Sequence, residues 1–283
     1  MRSSIGDTSV TLWVVSALVA LLAGRVFADS LRRLVYEGPL RAWRDLLVGS
    51  LALTLGLWGA MALDISAQGL LFEIGFHPLK LAAAVIGAWV LIAAGVVLAT
   101  YRNLWYTQMA AALVLAIVAL VLQVAIVWSI GAEPGLIWRR DPLLFAVLLS
   151  MVGFGVSGRM ITGVRRGSSD DRRSRRLLAA LVLAACCVAS QELVIASSGL
   201  DRQVVSAHAR ILPELVVMLV AGAAVPIGLV LLLVDQRAQQ RVRASERARR
   251  KRPHSADPGA ESMFSEDFAS TGLSDRQGRG PHP

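Results

Sequence analysis

The chain has 283 residues, of which 55 % are hydrophobic and 17 % charged, and its formal net charge is +9. A soluble domain has about 45–50 % apolar and about 25 % charged residues, so this composition excludes an ordinary soluble protein. Uncharged runs, such as 46–63 and 81–101, alternate with clusters of arginine. A run of about 18 or more apolar residues crosses the bilayer core as a helix. The sequence therefore predicts an all-α, multi-pass membrane helix bundle.

Seven apolar runs follow one another along the chain. They predict transmembrane helices near residues 11–29, 46–66, 80–100, 109–131, 143–163, 176–198 and 213–234. The first run resembles the apolar region of a signal peptide over Val10–Gly24, but it continues to Ala28 without a clear small-residue cleavage site. A retained first helix is therefore favoured over a cleaved leader.

The basic residues between the helices predict the orientation. The connections after helices 1, 3 and 5 hold twelve arginines, whereas the opposite side of the chain holds six basic residues. Basic residues are enriched on the cytoplasmic side of membrane proteins. We therefore expect the N-terminus outside, the C-terminus inside, and the cytoplasmic membrane of a cell as the location. The positive charge serves this topology, and a nucleic-acid partner is not expected.

The chain after helix 7 divides into two parts. Residues 1–235 are predicted as the transmembrane domain, 236–252 as a basic juxtamembrane segment and 253–283 as a disordered cytoplasmic tail, since the last part is rich in Ser, Gly, Pro and Asp. Basic side chains beside a membrane bind the anionic inner leaflet. The bilayer is the expected partner of this segment, together with a cytoplasmic protein that docks on the tail. The candidate binding residues are Arg241, Arg243, Arg249, Arg250, Lys251 and Arg252.

An internal repeat runs through the even-numbered helices. Ala111–Gln123 reads AALVLAIVALVLQ and Ala179–Gln191 reads AALVLAACCVASQ, and helix 2 fits the same frame. In this frame Met61, Gln123 and Gln191 are equivalent. The sequence thus predicts three helical hairpins followed by helix 7.

Gly56–Met61, which reads GLWGAM, carries the clearest local signature. It resembles the first motif of the bacterial MHYT sensor family, whose seven-helix domain has a G-I-x-x-M-H-Y-T-G-M motif in helices 2, 4 and 6. The resemblance covers roughly residues 10–235 and implies a sensory domain that signals through a fused output domain. Members are proposed to bind copper or small ligands through the motif Met and His side chains. Here Met61, Gln123 and Gln191 stand at the three histidine positions, so we expect no metal and no cofactor. We also expect no folded output domain in the short tail.

Polar side chains at membrane depth are the remaining candidates for a site, because such residues are costly and commonly functional. If helices 2, 4 and 6 meet, five side chains converge near the outer surface: Met61, Asp64, Gln123, Gln191 and Glu192. A second set, His77, Glu133, His208 and Glu214, would form the rim. The alternative to a ligand pocket is interhelical hydrogen bonding, typically worth about 0.6 kcal/mol.

The motifs and charges leave three functions open. The sequence contains no G-x-S-x-G, Walker, H-E-x-x-H or C-x-x-C motif, so we predict that the protein is not an enzyme. A sensory or ligand-binding role with signalling through the tail is favoured. A small transporter or channel would need a polar pathway, and the inner halves of the helices offer little beyond Arg25 and Asp29, which we interpret as a local ion pair. A scaffold acting through its basic tail is the third alternative.

Overall fold

The computed structural model describes residues 3–38, 42–68, 75–101, 105–133, 138–162, 169–198, 205–206, 211–235 and 238. Seven helices within these ranges are long and apolar enough to cross a membrane, which confirms the predicted all-α fold class. Their bounds are α1 (Ser3–Glu37), α2 (Trp43–Ala67), α3 (Pro78–Tyr101), α4 (Trp105–Ser129), α5 (Arg140–Thr162), α6 (Ser169–Ser197) and α7 (Glu214–Asp235). α1 and α6 are longer than predicted because polar turns extend both helices beyond their apolar cores.

Residues 1–233 form one compact unit, and the structure describes only residues 234, 235 and 238 of the second unit, Val234–Pro283. In the first unit α1 packs on α2 and α6, α3 on α4, and α5 on α6. α2 is the central helix, with 72 % of its most apolar stretch buried, against 22 % for α7. α2, α4 and α6 contact one another. Many large apolar side chains, such as those of Val90, Leu144 and Leu231, are exposed on the outside of the bundle. Such a surface suits a lipid environment.

Small residues bring α1 and α2 together. A β-carbon added at Gly56 would overlap that of Ala23, and one added at Gly49 would lie 2.5 Å from the β-carbon of Ser30. Since lipid tails are as apolar as leucine, helices in membranes associate by such close backbone packing. Glycine at these two positions therefore fixes the approach of α1 to the centre of the bundle.

We call the end of the bundle where α1, α3, α5 and α7 begin the N-terminal end. Its connections are hydrogen-bonded to one another: the N–H of Phe76 donates to Leu212, and that of His77 donates to Ser129 at 3.0 Å. Two strands of two residues each, β1 (Ala132–Glu133) and β2 (Val205–Ser206), also pair in antiparallel fashion there. The sequence did not predict this pairing, because two-residue strands lack a periodic pattern.

α7 is interrupted by a π-helical turn at Val220–Ala224, which Val225 separates from Pro226. The N–H of Val225 donates to the carbonyl of Val220, five residues earlier. Proline has no N–H to give to the preceding turn, so the chain widens there instead of continuing as a regular α-helix. α7 is therefore irregular in its middle.

The opposite end of the bundle holds more charge than the sequence suggested. Arg25 and Asp29 form the predicted pair at 3.5 Å, but Asp29 also contacts Arg176 of α6 at 3.4 Å. Arg33 of α1 and Asp45 of α2 form a further ion pair at 2.8 Å, with both side chains about nine-tenths buried. The expectation of little charge beyond Arg25 and Asp29 was therefore wrong, because the other members lie near helix ends that pack together only in three dimensions.

Candidate functional site

The first polar group of the site is built from amides and hydroxyls on α2, α4, α5 and α6. The amide nitrogen of Gln191 donates to the carbonyl of Leu57 at 3.2 Å. The hydroxyl of Ser190 donates to Oε1 of Gln123 at 3.4 Å. The hydroxyl of Ser150 donates to the hydroxyl oxygen of Ser190 at 2.9 Å. Gln123 thus contacts Ser190, the α6 residue directly before Gln191. Both glutamines are almost fully buried.

The second polar group is built around two carboxyl groups on α2 and α6. Glu192 accepts hydrogen bonds from the indole N–H of Trp13 at 3.0 Å and from the amide of Gln68 at 3.5 Å. Gln68 lies about one helical turn after Asp64 on α2, and the hydroxyl of Ser16 donates at 3.0 Å to the carbonyl of Ala60, about one turn before it. Asp64 lies between these two contacts and is fully buried. Neither of its carboxyl oxygens has a hydrogen-bond partner among the described residues.

Met61 lies on α2 one turn after Leu57 and almost one turn before Asp64, and it is fully buried. It therefore occupies the stretch of helix that joins the two groups. Among the residues that the structure describes, no three His, Cys, Asp or Glu side chains are close enough to hold a metal ion. A single thioether without such partners does not favour a copper site.

Several buried polar atoms in this region have no hydrogen-bond partner among the described residues. They are the indole nitrogen of Trp58, both carboxyl oxygens of Asp64, Nε2 of Gln123 and Oε1 of Gln191. A buried polar group without a partner costs about 1–3 kcal/mol. The set includes donors and acceptors, so it can receive a polar ligand, while its oxygen atoms suit protons and hard cations.

The same stretch of α2 contacts the π turn of α7. A β-carbon at Gly59 would lie 3.5 Å from Val225 and 3.6 Å from the carbonyl of Ala221, and one at Gly222 would lie 3.6 Å from Leu63. Asp64 follows Leu63 directly in the sequence. The residues that flank the carboxyl group are therefore packed against the irregular part of α7.

Two of the four residues of the predicted rim, His77 and Glu214, have side chains that the structure describes. His77 is half-buried, and its Nδ1 accepts the backbone N–H of Lys80 at 3.4 Å, in the first turn of α3. Glu214 is half-buried in the first turn of α7. Glu133 lies in β1, but its side chain and the whole of His208 fall outside the described residues.

The candidate lipid- and partner-binding residues of the tail also lie outside the described residues. They are Arg241, Arg243, Arg249, Arg250, Lys251 and Arg252, together with the predicted segments 236–252 and 253–283. Their roles stay predictions.

Sequence reasoning missed several members of the site. Trp13 and Ser16 lie in an apolar first helix, and their contacts with Glu192 and Asp64 depend on how α1 packs. Trp13 and Glu192 also border a groove of about 950 Å³ between α1, α5 and α6, which is lined by alanines such as Ala184 and Ala189. Ser190 was detectable from its place beside Gln191, since hydroxyls and amides form the usual hydrogen bonds between membrane helices.

Comparisons of the chain with protein-family models, with curated proteins and with solved structures find no match. The fold itself defines the class, which is a seven-helix bundle with the dimensions of a multi-pass membrane protein. The site adds a buried polar cluster near the C-terminal end of its central helix, α2, which lies at the N-terminal end of the bundle.

Proposed function

We propose that the protein is a sensory, ligand-binding protein of the cytoplasmic membrane, with its N-terminus outside. A small polar ligand or cation binds the polar cluster in the outer half of the bundle. The bound state is transmitted along α7 to the basic tail, which contacts anionic lipid and a cytoplasmic partner. In this role the protein catalyses no reaction.

One observation carries this proposal: the α2 segment 59–64 has the unpartnered carboxyl group at its end and the π turn of α7 against its side. A ligand that binds Asp64 favours a conformation only if it interacts differently with two arrangements of the bundle. π turns are rare and occur frequently at functional sites in helices. α7 is also the helix that leads into the tail, so a change in its packing on α2 reaches the cytoplasmic end.

The resemblance of Gly56–Met61 to the first MHYT motif agrees with this function. In the structure this segment includes Leu57, which accepts the Gln191 amide, and Gly59, which contacts α7. The segment that resembles the motif thus lies between the polar cluster and α7. The glutamines at the other two motif positions favour a ligand other than copper.

A transporter is the competing proposal, and the charges at the opposite end of the bundle favour it. Arg25, Asp29 and Arg176 belong to α1 and α6, which also hold Ser16 and Glu192. Between Ser16 and Arg25, however, α1 has eight apolar residues, which span about 12 Å at 1.5 Å per residue. A pathway along this interface would have to open across that stretch, so sensing requires the smaller change.

Distance measurements between spin labels test the proposal without knowledge of the ligand. Trp105→Cys and Ala238→Cys, both at exposed positions, carry the labels in a Cys186→Ala, Cys187→Ala background. Because Asp64→Asn removes the buried ionisable group, we expect it to shift the distance distribution. The same change at Asp141, Asp141→Asn, should leave the distribution unaltered, because Asp141 is exposed in the first turn of α5.

Two outcomes would count against sensing through α7. In the first, correctly folded Asp64→Asn and Glu192→Gln proteins both give the distribution of the unmutated background. In the second, protein in liposomes moves a solute and still does so after deletion of 237–283, which favours the transporter. A scaffold predicts that only the deletion has an effect.

A further inference from the structure

The structure holds a polar ladder that leads from the surface of the N-terminal end to the bundle core. Gln68, at the end of α2, is exposed, Glu192 is half-buried, and Asp64 is fully buried. The Gln68 amide donates to Oε2 of Glu192, and Gln68 lies about one helical turn after Asp64 on α2. A small ion therefore has polar contacts from the surface to the buried carboxyl group.

The donors around the two carboxyl groups are fewer than the acceptors. Trp13 and Gln68 both donate to Glu192. The hydroxyl of Ser16 donates to the carbonyl of Ala60, about one helical turn before Asp64 on α2. Both carboxyl oxygens of Asp64 are buried without a donor. A buried carboxylate without hydrogen-bond donors is strongly disfavoured unless a positive charge binds to it.

Among the described residues, no basic side chain on the helices around α2 pairs with Asp64. Lys80, at the start of α3, is exposed and lies over the ring of Trp128 at 5.1 Å. Glu214 at the start of α7 is acidic, and the described arginines of α1 and α6 lie in the opposite half of the bundle.

We propose that Asp64, Ser16 and Glu192 form a binding site for a monovalent cation, either a proton or sodium. The proposal rests on the proposed function, because it names the ligand of the same site. The ligands are all oxygen atoms, which prefer hard cations. The described residues hold no group of three His, Cys, Asp or Glu side chains that could bind a metal ion. Asp64 is the one of these two carboxyl groups that is fully buried, and a single monovalent cation balances its charge. Asp64 holds the cation, Ser16 offers a neutral oxygen, and Glu192 admits the cation from the surface.

Two measurements on the purified full-length protein test the site. The first follows the melting temperature at constant ionic strength while sodium chloride replaces choline chloride. The second records the infrared C=O stretching band of a protonated carboxyl group across a pH series in choline chloride. Each is made on the wild type, Asp64→Asn, Glu192→Gln and, as the matched control, Asp141→Asn at an exposed position of α5.

For a sodium site we expect a saturable rise in melting temperature, since a ligand that binds the folded state stabilises it. Asp64→Asn should abolish the rise, and Glu192→Gln should weaken the apparent affinity by about tenfold, which is the effect of about one pK unit of lost interaction. For a proton site, sodium has no effect and a pH-dependent carboxyl band disappears in Asp64→Asn. Asp141→Asn should keep the wild-type behaviour in both cases.

The proposal is overturned if the wild type shows neither a sodium effect nor a carboxyl band that Asp64→Asn removes. If Asp64→Asn does not fold, Glu192→Gln decides, and an unchanged response in that variant overturns the site as described. Failure of the proposed function looks different: the cation binds, but the label distance between positions 105 and 238 does not respond to it. Conversely, a label distance that responds to Asp64→Asn without any cation effect would retain the sensor and reject the cation.

Discussion

Replacing Gly56 by alanine tests the packing that positions the site. A β-carbon at Gly56 would overlap that of Ala23 on α1, which is buried and has no flexible end that could move aside. The two helices must therefore separate. At Gly59, one turn further along α2, an added β-carbon would make ordinary contacts of 3.5 Å with Val225 and 3.6 Å with the carbonyl of Ala221. The same substitution at the two glycines should consequently have opposite effects.

The magnitudes follow from two terms. Inserting a methyl group into a well-packed core costs about 1–3 kcal/mol, whereas alanine is favoured over glycine inside a helix by up to about 1 kcal/mol. In a domain of 150–250 residues, 1 kcal/mol corresponds to about 2–4 °C in melting temperature. Gly56→Ala should therefore lower the melting temperature by about 2–12 °C. Gly59→Ala should leave it unchanged or raise it by up to about 4 °C.

Thermal melts of the detergent-purified protein, followed by tryptophan fluorescence, measure both shifts. Ala23→Gly in the Gly56→Ala background removes the opposing methyl group and should restore most of the loss. Equal shifts for Gly56→Ala and Gly59→Ala, or a double variant no more stable than Gly56→Ala, would refute the close approach of α1 and α2 at this point.

Three further predictions concern the charges, the thiols and the topology. Asp45→Ala should lower the free energy of unfolding by about 3 kcal/mol because it leaves Arg33 buried without its 2.8 Å partner; the double variant Arg33→Met, Asp45→Leu should lose less in chemical unfolding, and an equal loss would contradict the ion pair. A maleimide should label the half-buried Cys186 faster than the buried Cys187 in single-cysteine proteins, and equal rates would contradict the described packing of α6. Reporter fusions after residue 165 should read as cytoplasmic and those after residue 135 as external; the reverse pattern would invert the orientation.

The sequence predicted the seven helices because each is a long apolar run that no soluble fold requires. It also selected Asp64 and Glu192, since charged residues inside such runs are conspicuous. It did not separate the five candidates into an amide group and a carboxyl group, because neighbours such as Gln191 and Glu192 point in directions that only packing specifies. Trp13 and Ser16 had no distinguishing pattern within α1. The wider arginine and aspartate contacts of α1 likewise depend on which helix ends meet.

The state of the Asp64 carboxyl group is the central claim, and solid-state NMR of the protein in lipid measures it directly. The account predicts a carboxyl carbon resonance that shifts with sodium or with pH and shows no short distance to the nitrogen atoms of Trp58, Gln123 or Gln191. A resonance that responds to neither variable, together with a short distance from the carboxyl group to one of those nitrogens, would show that a protein donor occupies the site and would contradict the account.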